Sequence, residues 1–373
     1  MLTMTSTLPQ SSYYLLYRSD GDVFERSLIK SDHRVEEVAS KSFENGSNPE
    51  KQESGFWQEF SWSESGRSEI QKTLAQSIVK NDIVNNMPSG RGRFIIDKLE
   101  QEAGANWDKF YTAHQTKFFK DRHYLEKAFP EDFGAVYGMH RDENSGIEKA
   151  KENDCVEDFT IVEIGCGVGN TVLPLLELDQ TMYTLSANGS DLVKRRLAVW
   201  GLDFSTVAVE LLQKDSRYIE ARKNDRAKSA VWDITISHPR EISRELELGA
   251  NISLLLFCLS AVSPSKMAQA ASNVAATLKP GGVLILRDYG RFDEAQVKLG
   301  SSRAKRISDN FYVKHDSTRV YYFDLEDLEM LFGKDGAGLD VIEVKYIQRV
   351  YKNRSTNSER RRVWVQARFR KPM

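Results

Sequence analysis

Residues 161–170 read IVEIGCGVGN, which dictates a strand, a glycine-rich turn and a helix in immediate succession. An apolar, β-branched run carries Glu163 near its end. The turn is Gly165-Cys166-Gly167-Val168-Gly169, and a helical run to about Glu177 follows. That succession opens a doubly wound sheet, which binds a nucleotide-like ligand at the carboxyl end of its first strand. Glycine lets the backbone pass a ligand where a side chain would collide. The spacing is G-x-G-x-G rather than the dinucleotide G-x-G-x-x-G, and no P-loop lysine follows, which argues against a nucleoside triphosphate. Glu163 at the strand tip repels a pyrophosphate and suits a cation. S-adenosylmethionine, with an amino group, a sulfonium and no phosphate, meets that demand. The bland alternative is an ordinary strand-to-helix turn.

Downstream the same pattern repeats. Strands are expected at 159–164, 197–202, 229–233, 252–258 and 282–287, and helices at 168–177, 205–214, 264–278 and 325–332. Late strands near 318–323, 340–347 and 363–370 would supply an antiparallel edge. The fold class is therefore α/β: a mostly parallel, doubly wound, Rossmann-like sheet with an antiparallel edge, preceded by a helical extension. Residues 1–55 read as a flexible tail, 56–140 as a helical region rich in aromatic and basic side chains, and 141–373 as the sheet domain. At 56–62, two Trp and two Phe fall within seven residues, a composition that needs a surface to dock on; Ser63 then caps a polar helix running to about Asn81.

The second strand of such a sheet should end in an acid that binds a ribose. Asp203 qualifies, although it follows the glycine turn at more than the usual ~20 residues, so about 179–196 reads as an insertion. Capping the helix that begins at Ser205 is its other reading. Asp233 ends the third strand, where it can accept from an adenine amine. Ile234 can pack on the ring, and Leu256, at the end of the all-apolar fourth strand, can line its other side. The turn Lys279-Pro280-Gly281-Gly282 before a fifth strand completes a constellation typical of S-adenosylmethionine-dependent methyltransferases.

The chain has 373 residues and a net charge of −2, so no global polycation points to nucleic acid; the local distribution does. From residue 341 onward there are ten Lys/Arg against two Glu, including Arg360-Arg361-Arg362, and residues 91–127 carry a second basic set. Each is either a phosphate-binding face or a solvated one. The three cysteines, Cys155, Cys166 and Cys258, form no CxxC pair, which fits reduced thiols and no metal site. No run reaches the roughly 18 apolar residues of a membrane span, and no secretory pattern opens the chain. The expected compartment is the cytoplasm, with nucleus and mitochondrion left open.

Several blocks recur together in one family. They are Asn106-Trp107-Asp108-Lys109-Phe110-Tyr111, then Phe118-Phe119-Lys120-Asp121-Arg122-His123-Tyr124-Leu125, the glycine turn, Asp203-Phe204-Ser205, Leu259-Ser260-Ala261-Val262, Arg287-Asp288-Tyr289-Gly290 and Asn310-Phe311-Tyr312-Val313. In this the chain resembles, over roughly 56–373, the tRNA N3-methylcytidine methyltransferases that modify position 32 of the anticodon loop. The 118–123 block is specific to that family. The 56–64 segment is similar to the extension of members acting on threonine and some arginine tRNAs, whereas the serine-tRNA branch leans on seryl-tRNA synthetase. The resemblance implies that Trp107, Tyr111, Gly165, Gly167, Gly169, Asp203, Asp233, Ile234 and Leu256 meet S-adenosylmethionine. It implies tRNA as substrate, with an auxiliary protein or aminoacyl-tRNA synthetase as a possible partner. Ser263 departs from the family, which carries histidine there.

Three residues are candidates for the chemistry. Asp288 would stabilise the cationic product base, or else cap a turn or pair with Arg287. Arg122 and His123 would hold the methionine carboxylate or the target nucleotide. Lys117, Lys120, Arg91, Arg93, Arg360 and Arg361 are the candidate phosphate contacts, which position RNA without reading its sequence. Two other functions share the fold: a small-molecule methyltransferase, and a non-catalytic RNA-binding subunit.

Overall fold

The computed structural model describes residues 16–17, 23–24, 57–59, 63–84, 87, 90–133, 157–178, 181–185, 192–352 and 359–373. The expected 1–55 tail falls almost wholly outside them. A nine-stranded sheet organises the chain. Its parallel centre comprises β2 (Glu157–Ile164), β4 (Leu192–Asp203), β5 (Ala227–Val231), β6 (Ala250–Leu256) and β7 (Leu278–Tyr289), in the spatial order β7-β6-β2-β4-β5. Beside β7 lies the long antiparallel hairpin β11 (Asp340–Lys352) and β12 (Glu359–Arg370). Strand β1 (Trp57–Glu59) pairs with β11 and covers that edge of the sheet; the rest of the aromatic 56–62 segment lies outside the described residues.

Both faces of the sheet are covered, and the side-chain period of two divides the core. In β6, Leu255 faces one apolar cluster with Val162, Leu202 and Leu286. Ile252, Leu254 and Leu256 face a second one with Ile161, Val199 and Ile285. Truncating a leucine such as Leu254, fully buried, would cost about 2–5 kcal/mol.

Helices connect the strands: α4 (Val172–Leu176), α5 (Thr206–Lys214), α6 (Ser216–Lys223), α7 (Met267–Ala276), α8 (Glu294–Ser301) and α9 (Leu325–Phe332). Helix α4 is shorter than the expected 168–177, because the turn holds Gly167 and Gly169 at φ of 54° and 93° and uses up the chain before helix can start. The insertion is a β-hairpin: β3 (Thr181–Leu185) pairs antiparallel with residues 192–196 of β4, whose other half pairs with β5. The expected strand near 318–323 is not part of the main sheet. As β10 (Arg319–Tyr321) it joins β8 (Arg306–Ser308) and β9 (Phe311–Val313) in a separate three-stranded sheet.

The helical extension comprises α1 (Glu64–Asn81), α2 (Arg91–Gln101) and α3 (Ala103–His114). Ser63 caps α1 by accepting from the Gly66 N–H at 3.0 Å.

Candidate active site

The glycine turn sits at the carboxyl ends of β2 and β4, where open α/β sheets bind ligands. It is closely packed. A Cβ at Gly165 would stand 2.5 Å from Cys258 Sγ, and one at Gly167 would stand 2.6 Å from the Tyr111 hydroxyl. Tyr111 is 5% exposed and stacks on half-buried Trp107 with ring centroids 5.9 Å apart, so α3 brings both aromatics onto the turn.

Asp203 fastens the turn to the tip of β4. One carboxylate oxygen accepts from the Gly167 N–H at 2.7 Å and the other from the Ser205 N–H at 2.8 Å. It does not cap α5; Ser205 does, accepting from Ala208 N–H at 3.1 Å. Four lone-pair sites less two leave room for ribose hydroxyls. Burial pushes the Asp203 carboxyl up to about 6 against the pull of the Ser205 and Gly167 N–H groups.

Glu163 is wholly buried at the tip of β2. Its Oε1 accepts from Arg122 Nη1 at 3.0 Å, and the same nitrogen reaches Thr171 Oγ1 at 2.9 Å. Its Oε2 accepts no hydrogen bond of ordinary geometry, although the Thr171 hydroxyl and the Val172 N–H lie near enough to help hold the charge. Burial drives the Glu163 carboxyl up to about 7, against the nearby Arg122 charge.

The 118–123 block is stitched to the turn. Asn170 Nδ2 donates to the Phe119 carbonyl and to Asp121 Oδ1, both at 3.1 Å, and the Arg122 N–H donates to the Asn170 carbonyl at 2.7 Å. Arg217 holds Asp121 from the other side at 2.8 Å. Arg122 thus enters the site, while His123 is exposed on the surface above it.

Asp233 is half-buried just beyond β5. Its Oδ1 accepts from the Thr235 N–H and hydroxyl, at 2.8 and 2.7 Å. Ile234 and Leu256 are core members, 7% and 1% exposed. Phe257, directly after β6, adopts a left-handed φ of 56°, and its ring lies 5.9 Å from the Arg122 guanidinium carbon. A bulky residue in that region is strained.

Asp288 is fully buried at the end of β7. Its oxygens accept from the Ser260 and Tyr289 N–H groups at 2.9 Å each, and burial lifts it to about 6 despite the Ser260 bonds. It therefore holds the 259–262 turn in place. The alternative pairing with Arg287 is overturned: Arg287 bonds Gln366 and lies 4.9 Å from the centroid of Tyr124.

The basic candidates divide. Arg91, Arg93, Lys117 and Lys120 are exposed. Arg360 pairs with Glu294 at 2.9 Å, and Arg361 lies 3.1 Å from Glu359. The C-terminal run is thus bound into the chain by α8 and its own hairpin. Asp108 escaped sequence reading: it accepts from Ser205 Oγ at 2.5 Å and so ties α3 to the cap of α5. Its place in the 106–111 block was the available signal.

Among the described residues, no group of His, Cys, Asp and Glu could hold a metal ion, and no helix is long and apolar enough to cross a membrane.

Three buried acids, Glu163, Asp203 and Asp288, lie at these strand tips, and Arg122 pairs with Glu163 alone, an excess of acid that favours a cation. Glu163 Oε2, with no hydrogen bond of ordinary geometry, can take a donor from a ligand. S-adenosylmethionine fits this donor-and-charge pattern: Glu163 would face its amino group, Asp203 its ribose and Asp233 its adenine amine.

A fold of this kind with this site defines a methyltransferase. Residues 123–344 match the model of a methyltransferase domain family. The tRNA N(3)-cytidine methyltransferase METTL2 of Xenopus tropicalis is 33% identical over 86% of this chain and 91% of its own length. The tRNA N(3)-methylcytidine methyltransferase Mettl2 of Drosophila melanogaster is 32% identical over 85% and 83%. O-methyltransferase 3 of Dictyostelium discoideum is 31% identical over 84% and 79%. The chain belongs to the METTL2 family of methyltransferases, and its methyl donor is S-adenosylmethionine.

Proposed function

We propose that this enzyme methylates N3 of cytidine 32 in the anticodon loop of threonine tRNAs, arginine tRNAs or both. The observation that carries this reading is the stitching of the 118–123 block to the glycine turn, which sets Arg122 against Glu163 beside exposed Lys117, Lys120 and His123. A donor site is thereby joined to a cationic surface, as an RNA substrate needs and a small molecule does not. The names of the Xenopus and Drosophila relatives support it.

Cytosine N3 carries an in-plane lone pair and is unprotonated at neutral pH, so no general base is required. S-adenosylmethionine supplies the electrophilic methyl. The protein must position the base and exclude water, and positioning with electrostatics supplies most of the rate. N3 is blocked in a Watson–Crick pair, so the base must come from an unpaired loop and leave its stack. Trp107 and Tyr111 wall the crevice, and Arg122 orients ligand carboxylate or base. Asp288 acts as a positioning residue, because its carboxylate shapes the 259–262 turn. The excess of buried acids favours the cationic 3-methylcytidine as it forms. Phosphates are held by Arg91, Arg93, Lys117 and Lys120.

A small-molecule substrate is the second reading, favoured by the name of the Dictyostelium relative. Nucleoside mass spectrometry on individual tRNAs, from cells with and without the gene, separates the two. Loss of 3-methylcytidine from threonine or arginine tRNAs is the expected result; an unchanged tRNA profile would point to the small molecule.

A further inference from the structure

A cleft of about 390 Å³ opens where α2 meets the turn after β6 and the three-stranded sheet. Gly165, Asp203, Asp233 and Leu256 do not border it, so it is distinct from the donor crevice. The two sit back to back across the 259–263 turn. On one side Asp288 holds the Ser260 N–H; on the other Arg319 donates to the Ala261 carbonyl at 3.4 Å.

The walls are apolar and accessible: Ile96 from α2, Pro264 from the turn and Ile307 from β8. The floor is ionic. Arg319, 8% exposed, bonds Glu100, which also meets Lys266 at 2.6 Å. Those pairings hold Glu100 below the usual carboxylate range in spite of partial burial. Arg319 and Lys266 outnumber Glu100 by one positive charge, so the floor suits a polar or electron-rich edge and offers hydrogen-bonding groups to it. Arg93, at the rim, is exposed.

Apolar walls, a polar floor and a cation at the mouth match one unpaired nucleotide: a base packed between aliphatic groups, a hydrogen-bonding edge and a phosphate. We propose that this cleft receives the loop nucleotide adjacent to the methylated one, its base against Ile96 and Pro264 and its phosphate near Arg93. The assignment rests on the RNA reading above and extends it. Holding the neighbour fixes the strand on the far side of the 259–263 turn, so that the target base enters the crevice in one register.

The test uses the full chain with S-adenosylhomocysteine and anticodon stem-loops carrying 2-aminopurine at each position flanking the target. Fluorescence reports the base's surroundings, and anisotropy reports binding separately. One flanking position should change its fluorescence on binding. Ile96→Asp should abolish that change and weaken RNA binding about tenfold, with S-adenosylhomocysteine affinity unaltered. Pro264→Asp, at an exposed position, should do the same and guards against a folding defect. If RNA binds normally and neither flanking position responds, or both variants keep the response, the cleft assignment is overturned while the RNA reading stands. If no stem-loop binds at all, both fall.

Discussion

Two arginine-rich stretches, read along the chain, look alike: 91–93 at the start of α2 and 360–362 at the start of β12. In the fold they part. Arg91 and Arg93 stand exposed on a helix whose first turn has no acid. Arg360, Arg361 and Arg362 lie against α8, where Glu294 takes the first side chain and the backbone N–H of the second, and buried Asp293 takes the third at 2.9 Å. The run at 91–93 is offered to solvent, whereas acids from elsewhere in the chain pair with the run at 360–362. Acids divide in the same way. Asp293 has Arg362 and two backbone donors, whereas Glu163 keeps an oxygen with no bond of ordinary geometry.

The sharpest way to break this contrast is Arg362→Ala. It strands Asp293, which is wholly buried, and breaking a buried pair costs about 3–5 kcal/mol. Denaturant unfolding should show that loss with the slope unchanged. Next comes Arg93→Glu with Lys120→Glu. RNA affinity should fall by about tenfold or more, and the salt dependence should flatten by about two contacts, while the melting temperature stays put. Filter binding across a salt series reads both quantities.

Third is pH. Glu163 titrates near 7 when folded, against an ordinary 4.5. Its folded-state pKa is raised, so the native protein holds a proton that the unfolded chain has lost, and stability falls as pH rises from about 4.5 to about 7. A cationic ligand selects the ionised form. S-adenosylhomocysteine, which retains the amino group, should therefore bind up to tenfold more weakly per unit as pH drops below about 7. Calorimetry should find proton release on binding at pH 6, and Glu163→Gln should remove it. The smallest effect is expected from Arg360→Ala with Arg361→Ala: about 1 kcal/mol of stability or less, with no change in the RNA salt slope. A shallower slope there would return the C-terminal run to the RNA interface.

Much of the fold was legible because local chemistry and final structure agreed. The 325–332 helix, the Ser63 cap and the apolar β6 strand each follow from periodicity or capping alone. So does the order of Asp203 and Asp233 along the sheet. What escaped needed tertiary partners. Glu294 lies 66 residues before Arg360, and Asp293 69 before Arg362; no local pattern joins them. The β8–β10 sheet consists of three-residue strands, too short to alternate visibly. The charge of Asp288 is visible in the sequence, but its bond to the Ser260 N–H, 28 residues away, is not.

The account is most directly tested by incubating the purified chain with S-adenosylmethionine and a threonine-tRNA transcript, then digesting one portion to nucleosides and another to oligonucleotide fragments for mass spectrometry. A stoichiometric gain of 3-methylcytidine, confined to the anticodon-loop fragment, is the predicted result. A methyl on ribose, on another base or on a copurified small molecule, with cytidine N3 unmodified, would contradict it.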